Sequence, residues 1–514
     1  MGLGAPKAIW TDVDLSQYVD TVIKGVSCVL GSTEKGPIGK AVRIGSQEQY
    51  RRIFGGNIKG SDFALVVNRA LSYGAALWVS RVVHFDDVAD AATLTAKKAA
   101  VELKDAADAP AIRVLAESEG CWGNRLKVEV VKSALDAEKR FSLKVLEGNT
   151  RLELLEDLSL DEDDDNYVEK AVSSYVKVED LGAELPKVGE KGTLSGGEDG
   201  LDDLGDADYI GDKAAKNGFH AFDEVDDALQ LAVPEVATPP VIAAGLQYCE
   251  SRGDMVFITE TPFNLETQEA VEFRLGSGDF SHETFNSSYG AMYFGKPRIY
   301  DTSRKEERVV SSVGDVLGVI AVNDWSANEA RVPAGTRRGK LRNCLGFDVN
   351  VGTAARSADA DYLCENQINP LCSYPDTGPL ILGAQTLQRE ASLLRELNVR
   401  RMSIVMKKVC TAYARTYLQE PNDPRTWRLF YLGLEPRFRE WKANRWIYEY
   451  MIECDQNAVS LKDAKINLPE SVQRGEFICK IFYKPVAGIK WILQYGVITR
   501  LDARYDESIV ELAA

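Results

Sequence analysis

Histidine is nearly missing from this chain: three residues in 514, at positions 84, 220 and 282. The nine cysteines, at 28, 121, 249, 344, 364, 372, 410, 454 and 479, include no Cys-x-x-Cys pair. A structural zinc site gathers four soft ligands at short spacings, so this scatter excludes the common zinc frameworks. Buried thiols acting as small apolar side chains are the simplest reading. The odd count leaves open pairing between subunits if the particle ends up outside a cell. Apolar runs of the eighteen or so residues that span a bilayer are also missing. The start, Met1-Gly2-Leu3-Gly4-Ala5-Pro6, lacks a basic segment followed by an apolar one, and Pro6 stands where a myristoylation motif wants Ser or Thr. A soluble protein made in a cytoplasm, with no membrane partner, is the expectation.

A surplus of positive charge is absent too. Lys and Arg number 61 against 78 Asp and Glu, a formal net charge of −17, which argues against a broad nucleic-acid-binding face. The acidity is local: residues 151–210 carry 19 acidic and 5 basic side chains, whereas residues 388–450 carry 13 basic and 7 acidic ones.

Catalytic signatures are missing in turn. Gly31-x4-Gly36 resembles half of a phosphate loop, but Pro37-Ile38 stands where Lys and Ser or Thr must sit, and Pro37 has no N–H to offer a phosphate. No Gly-x-Ser-x-Gly elbow occurs, and no Gly-x-Gly-x-x-Gly turn follows a strand. The run Asp161-Glu162-Asp163-Asp164-Asp165 fails as a calcium loop, because Asn166 replaces the required Gly. It reads instead as a solvated loop or the N-terminus of a helix. No cofactor or metal is expected. A Ser-His-Asp or Cys-His arrangement assembled in space stays open, since triads ignore sequence order.

What is present is an α/β pattern. Val26 to Leu30 reads as a strand. Phe63, Val66, Val67, Ala70 and Leu71 form the stripe of a helix capped by Ser61 or Asp62, and Leu77 to Val83 reads as a second strand. Lys127 to Val131 and Phe141 to Leu146 are strand-like. An apolar helix ending near Gly253 runs into the strand Met255 to Ile258. Met402, Val405, Met406, Val409, Ala412, Tyr413 and Thr416 mark a long helix within 387–418. Asp423-Pro424 opens another, lined by Trp427, Phe430, Tyr431 and Leu434. Phe477 to Tyr483 and Lys490 to Leu501 read as closing strands.

Several stretches, in order, resemble the contractile tail sheath proteins of bacteriophages and related injection machines. Gly31-Ser32-Thr33-Glu34-Lys35-Gly36-Pro37, Phe54-Gly55 and Ser72 to Val82 are similar to that family's opening segment. Glu119-Gly120-Cys121-Trp122-Gly123-Asn124-Arg125-Leu126 resembles its Gly-x-Trp-Gly-Asn-x-Leu run. Gly196-Gly197-Glu198-Asp199-Gly200 with Asp208-Tyr209-Ile210-Gly211 matches its Gly-Gly-x-Asp-Gly and Asp-Tyr-x-Gly pair. Asn398-Val399-Arg400-Arg401, Glu420-Pro421-Asn422-Asp423 and Cys454-Asp455-Gln456-Asn457 continue the series. The N-terminal arm departs from it: Lys7 to Tyr18 lacks the Gly-Val-x-x-x-Glu opening, which leaves its partner open.

The resemblance implies an α+β multidomain chain, its sheath core built from N- and C-terminal segments with outer domains inserted between them. The division expected is an arm at 1–24, core at 25–85, acidic inserted domains at 86–240, a middle α/β domain at 241–380, a C-terminal sheath domain at 381–488 and a closing arm at 489–514. The implied role is structural, not enzymatic. Hexameric rings stack around an inner tail tube, between a baseplate and a tail terminator, in a virion assembled in the host cytoplasm. The resemblance also implies arms that add strands to neighbouring subunits, and a sheet edge with unpaired N–H and C=O groups suits that. Trp491, Leu493, Tyr495 and Val497 in the last β-rich run are the candidates. Arg437, Arg439, Lys442 and Arg445 are the candidates for a weak electrostatic contact with the tube. Cys364 and Cys372, in a stretch expected to be irregular (357–378), are the candidates for inter-subunit disulfides. A phage tail and a bacterial injection device are not separated at this stage. A hydrolase and a receptor-binding virion protein remain as other classes.

Overall fold

The computed structural model describes residues 24–136, 138–182, 184–302, 304–454 and 466–488. The first expectation holds: β1 (Val26–Gly31), β2 (Val42–Ile44), α1 (Gln47–Phe54), α2 (Phe63–Ser72) and β3 (Ala76–Arg81) follow one another. The apolar stripe of α2 is buried, and Gly74, in a left-handed conformation, turns the chain into β3.

The chain then leaves this layer and builds a separate antiparallel unit. β4 (Ala100–Lys104), β5 (Pro110–Ala116) and β9 (Val176–Asp180) form one sheet. β6 (Leu126–Lys132), β7 (Phe141–Glu147), β8 (Thr150–Leu158) and β10 (Lys191–Thr193) form the other. Alternating side chains such as Leu126, Val128 and Val130 face inward to a core of their own, with Leu143, Val145 and Trp122. The acidic run is not a helix. Asp161 accepts from the Asp163 N–H (3.2 Å) and Asp164 from the Asn166 N–H (3.0 Å), local turns that compete with helix formation.

Two of the quoted motifs meet at the neck of this insertion. Asn124 and Gly197 exchange a pair of hydrogen bonds of 2.9 Å, and Asp199 Oδ1 accepts from the Cys121 N–H at 2.6 Å. Asp208 accepts from the Phe85 and Gly205 N–H groups and pairs with His84 Nδ1 at 3.0 Å. Asp208 belongs to α3 (Asp206–Ile210), which ends at Gly211. Any other residue there would push its Cβ to 2.2 Å from the Asn217 carbonyl oxygen, at φ +74°.

Beyond the neck the chain returns to its first layer. β11 (Gln230–Ala232), α4 (Pro239–Arg252), β12 (Val256–Glu260), α5 (Thr267–Leu275) and β13 (Gly290–Phe294) add parallel strands and covering helices. A small sheet of β14 (Pro297–Asp301), β15 (Glu306–Val309) and β16 (Gly346–Phe347) follows. It is interrupted by α6 (Val313–Ser326) and the single turn α7 (Gly335–Arg338). Then α8 (Ser357–Glu365) leads to β17 (Ile368–Tyr374) and β18 (Gly378–Ile381). The large sheet has the order β18-β17-β13-β12-β11-β1-β3-β2, parallel except for β2 and β18 at its two edges. Segments 25–85 and 241–380 therefore share one sheet, together with β11 from the expected 86–240 insertion. Parallel strands require long connections, and the sheet uses the intervening chain as one.

The last helices close one face. α9 (Leu397–Arg415) buries Met402, Val405, Met406, Val409 and Tyr413, while Thr416 lies just beyond it and is exposed. Asp423 caps α10 (Pro424–Ala443) through the Thr426 N–H at 2.8 Å, with Pro424 in the first position. Together α2, α6, α9 and α10 pack one side of the sheet, and α4, α5 and α8 the other. The chain ends, as described, in a two-stranded ribbon, β19 (Ile447–Glu453) against β20 (Lys480–Pro485), slightly later than the strand expected at Phe477 to Tyr483.

Candidate interaction surfaces

In doubly wound sheets the ligand crevice opens at the carboxyl ends of the strands where strand order reverses. Here that point lies between β1 and β11. It is filled from within. Glu235, three residues past β11, accepts from Ser61 Oγ at 2.7 Å and from the Asp62 N–H at 2.6 Å, at the N-terminus of α2. This is where a bound anion would meet a helix dipole, and the chain's own carboxylate occupies it. Burial, with Asp62 and Glu260 nearby, pushes the Glu235 carboxyl up to about 7. Next to it, buried Glu260 pairs with Lys296 at 2.7 Å and accepts from the Ser312 N–H and Oγ. Lys35, the lysine of the half phosphate loop, lies over the rings of Trp122 and Tyr175 at 5.0 and 5.4 Å.

The three histidines are engaged separately, His84 with Asp208, His220 with Asp223 and His282 with the Glu283 carbonyl. Among the described residues, no cluster of three His, Cys, Asp or Glu is arranged to hold a metal ion, and no helix is long and apolar enough to cross a membrane.

The surface near the C-terminus is less complete. The ribbon turns Tyr450, Ile452, Ile481 and Tyr483 toward the helices; Tyr450 donates to Glu435 and Tyr483 to Ser403. Tyr448, Met451 and Phe482 are exposed, and Met451 lies directly opposite Phe482. Among the described residues no third strand pairs with either edge. A lone two-stranded ribbon is marginal in water, and open edges attract strands. The pairing of β19 with β20 escaped the sequence reading, because strand pairing leaves no mark in either strand alone.

Three of the four candidate tube-contact cations, Arg437, Arg439 and Lys442, lie within α10. Arg437 pairs with Glu440 at 3.1 Å and Arg439 with Glu435 at 2.8 Å. Exposed Lys442 acts on Glu449, which itself pairs with Lys484. Arg445 follows the helix in a left-handed conformation, φ 61°. The α10 glutamates thus neutralise part of the cluster. The same helix exposes Leu429 and Leu432, with Arg425 and Arg428 also exposed. The sequence carries no separate signal for that mixed face, because the helical period marks only the positions that turn inward.

Cys364 and Cys372 do not form an exposed pair. Residues 357–378 are mostly α8 and β17, and Cys372 is fully buried in a strand with neighbours on both sides. Cys364 is half-buried. Among the described residues no disulfide links any of the nine cysteines; Cys121 is the exposed one, and the Cys479 thiol is hydrogen-bonded to that of Cys454 at the root of the ribbon. Trp491, Leu493, Tyr495 and Val497, like Lys7 to Tyr18, lie outside the described residues.

No family model matches the chain. The tail sheath protein of Vibrio phage KVP40 is 29% identical over 211 residues, 41% of this chain and 30% of that protein. The tail sheath protein of Enterobacteria phage T4 is 26% identical over 248 residues, 48% of this chain and 36% of that protein. The matched stretch thus spans about a third of the length of these curated relatives. Among solved structures, the sheath tail protein from Listeria innocua superposes with a TM-score of 0.60 at 12% identity, covering 92% of this chain and 97% of that one. The helical sheath of the anti-feeding prophage in its contracted state gives 0.55 at 12% identity, over 97% and 99%. The contracted PVC sheath complex of an extracellular contractile injection system gives 0.54 at 11% identity, over 97% and 98%. The chain has the fold of contractile sheath proteins, and its sequence relatives are phage tail sheath proteins.

Proposed function

We propose that this chain is the subunit of a contractile tail sheath. It polymerises as stacked hexameric rings around an inner tail tube, between a baseplate and a tail terminator, and contracts to drive the tube through a host envelope. The observation that carries this reading is the shared fold over nearly the whole chain, including sheaths in the contracted state. The relatives support a virion tail component, and assembly in the host cytoplasm belongs to the same proposal. The solved injection-system sheaths keep a second reading open, a bacterial contractile device.

The ribbon is the acceptor surface in this scheme. A strand from a neighbouring subunit satisfies its unpaired edge groups, and the arms 1–24 and 489–514, with Trp491, Leu493, Tyr495 and Val497, are the donors. Contraction then needs no nucleotide, provided the contracted lattice lies lower in free energy. The self-filled crevice at the β1/β11 switch point supports a structural role over a catalytic one. The tube contact is assigned to α10, through Arg439, Lys442 and Arg445 with the Leu429–Leu432 face. Arg437 contributes less, being half-buried beside Glu440. Inter-subunit disulfides through Cys364 and Cys372 drop out of the scheme.

Electron microscopy of the purified protein tests it: hollow tubes of uniform width are expected, and persistent monomers across salt and concentration would overturn it. Removing 489–514 is expected to leave a folded protein without tubes. Charge reversal at Arg439 and Lys442 should impair growth on a tail tube more than tube-free polymerisation.

A further inference from the structure

Arg274 is one of the largest fully buried side chains in the protein, 1% exposed at the C-terminal end of α5. Its Nη2 donates to Gln367 Oε1 and to the Leu387 carbonyl, both at 2.8 Å. Those acceptors are neutral. They satisfy hydrogens but do not cancel the charge, and the carbonyl end of α5 offsets it only in part. Its Nε–H has no partner among the described residues. Burial lowers its pKa to about 10, and the like charges of Arg389 and Arg395 add to that shift.

The second guanidinium repeats the pattern. Arg395 Nη2 donates to the Glu365 carbonyl, two residues from the Gln367 that holds Arg274, and its buried Nε–H is also without a partner. Arg389 is anchored by its backbone on Asn286 and leaves its side chain exposed at the rim. Glu390, the carboxylate that follows Arg389, accepts from Asn286 and lies at the surface. A buried guanidinium without a counter-charge is costly, and adding like charges raises the cost. An oxyanion between these residues would accept from the unpaired Nε–H groups and supply the missing negative charge; guanidinium forks suit carboxylate and phosphate oxygens.

We propose that Arg274, Arg389 and Arg395 form a seat for an oxyanion, either a free phosphate or sulfate ion or a carboxylate reaching in from a neighbouring copy of this chain. The inference for the free chain does not depend on the sheath reading; the neighbour's carboxylate does.

Thermal melts of the unassembled full-length protein test it, in phosphate or sulfate against chloride at matched ionic strength. The melting temperature should rise saturably by about 2 °C or more with the oxyanions alone. Arg389→Gln with Arg395→Gln, which leaves the fully buried Arg274 in place, should remove most of that rise, and the corresponding double Lys variant should keep part of it. A phosphate effect no larger than that of chloride would overturn the seat and leave water as the partner of the Nε–H groups. So would an undiminished effect in the double Gln variant. The source is then read separately. A neighbour's carboxylate predicts that phosphate slows tube growth several-fold and that the double Gln variant polymerises slowly without it. A free ion predicts unaffected growth and phosphate retained after dialysis, measured with molybdate. Tubes that form normally while the melts fail would reject the seat and leave the sheath reading standing.

Discussion

The large sheet and the inserted antiparallel unit treat charge in opposite ways. Around the sheet, carboxylates are buried and paired across long stretches of sequence. Asp315 takes two hydrogen bonds from Arg69, at 2.6 and 2.9 Å, and one from Tyr73, joining α6 to α2. Asp324 meets Arg401 with both side chains fully buried, joining α6 to α9. In the insertion the acids are mostly at the surface, and its core is aliphatic and aromatic. A unit of short hairpins finds its register from local alternation. A layer that brings residues 25–85 beside 241–454 uses polar staples to fix how distant segments meet.

The sharpest way to break this contrast is to remove one half of a staple. Arg401→Leu leaves Asp324 buried and unpaired and should cost about 3–5 kcal/mol in urea unfolding. Changing Asp324 and Arg401 together to well-packed apolar residues should recover much of the loss; no recovery would mean the pair does more than fix geometry. The counterpart in the insertion is Leu143→Ala, expected to cost about 2–5 kcal/mol through the cavity it leaves. Tube formation should survive it wherever the insertion still folds.

Glu235 gives a pH signature confined to the sheet. Its folded pKa of about 7 lies above the ordinary value of 4.5, so the protonated form is favoured in the fold. That contribution is fully present below pH 4.5 and is lost as pH rises through about 7, a change of about 3 kcal/mol. Glu235→Gln, which can still accept from the Asp62 N–H and donate to Ser61, should flatten this part of a stability-against-pH curve. The smallest effect belongs to the acidic run: Asp161→Asn with Asp163→Asn should move the melting temperature by no more than about 1 °C.

Local patterns were legible wherever one face of an element is buried. The three-and-four spacing of Met402, Val405, Met406 and Val409 located α9, and Asp423-Pro424 located the start of α10. The acidic run misled, since Asp and Asn side chains offer the backbone turns in place of a helix. Cys372 misled because nearby prolines suggested a loop, whereas two neighbouring strands hold the segment extended.

The order of motifs, read from the sequence alone, already pointed to the sheath family and to an α/β core without catalytic signatures. The sequence also determined where acid and base accumulate, since composition needs no fold. Only the tertiary structure decided that Glu235 fills its own crevice and that, among the described residues, β19 and β20 form an open ribbon and Arg274, Arg389 and Arg395 lie together without a counter-charge. Each depends on residues brought together from separate parts of the chain, and burial and charge proximity are set by that meeting, not by spacing.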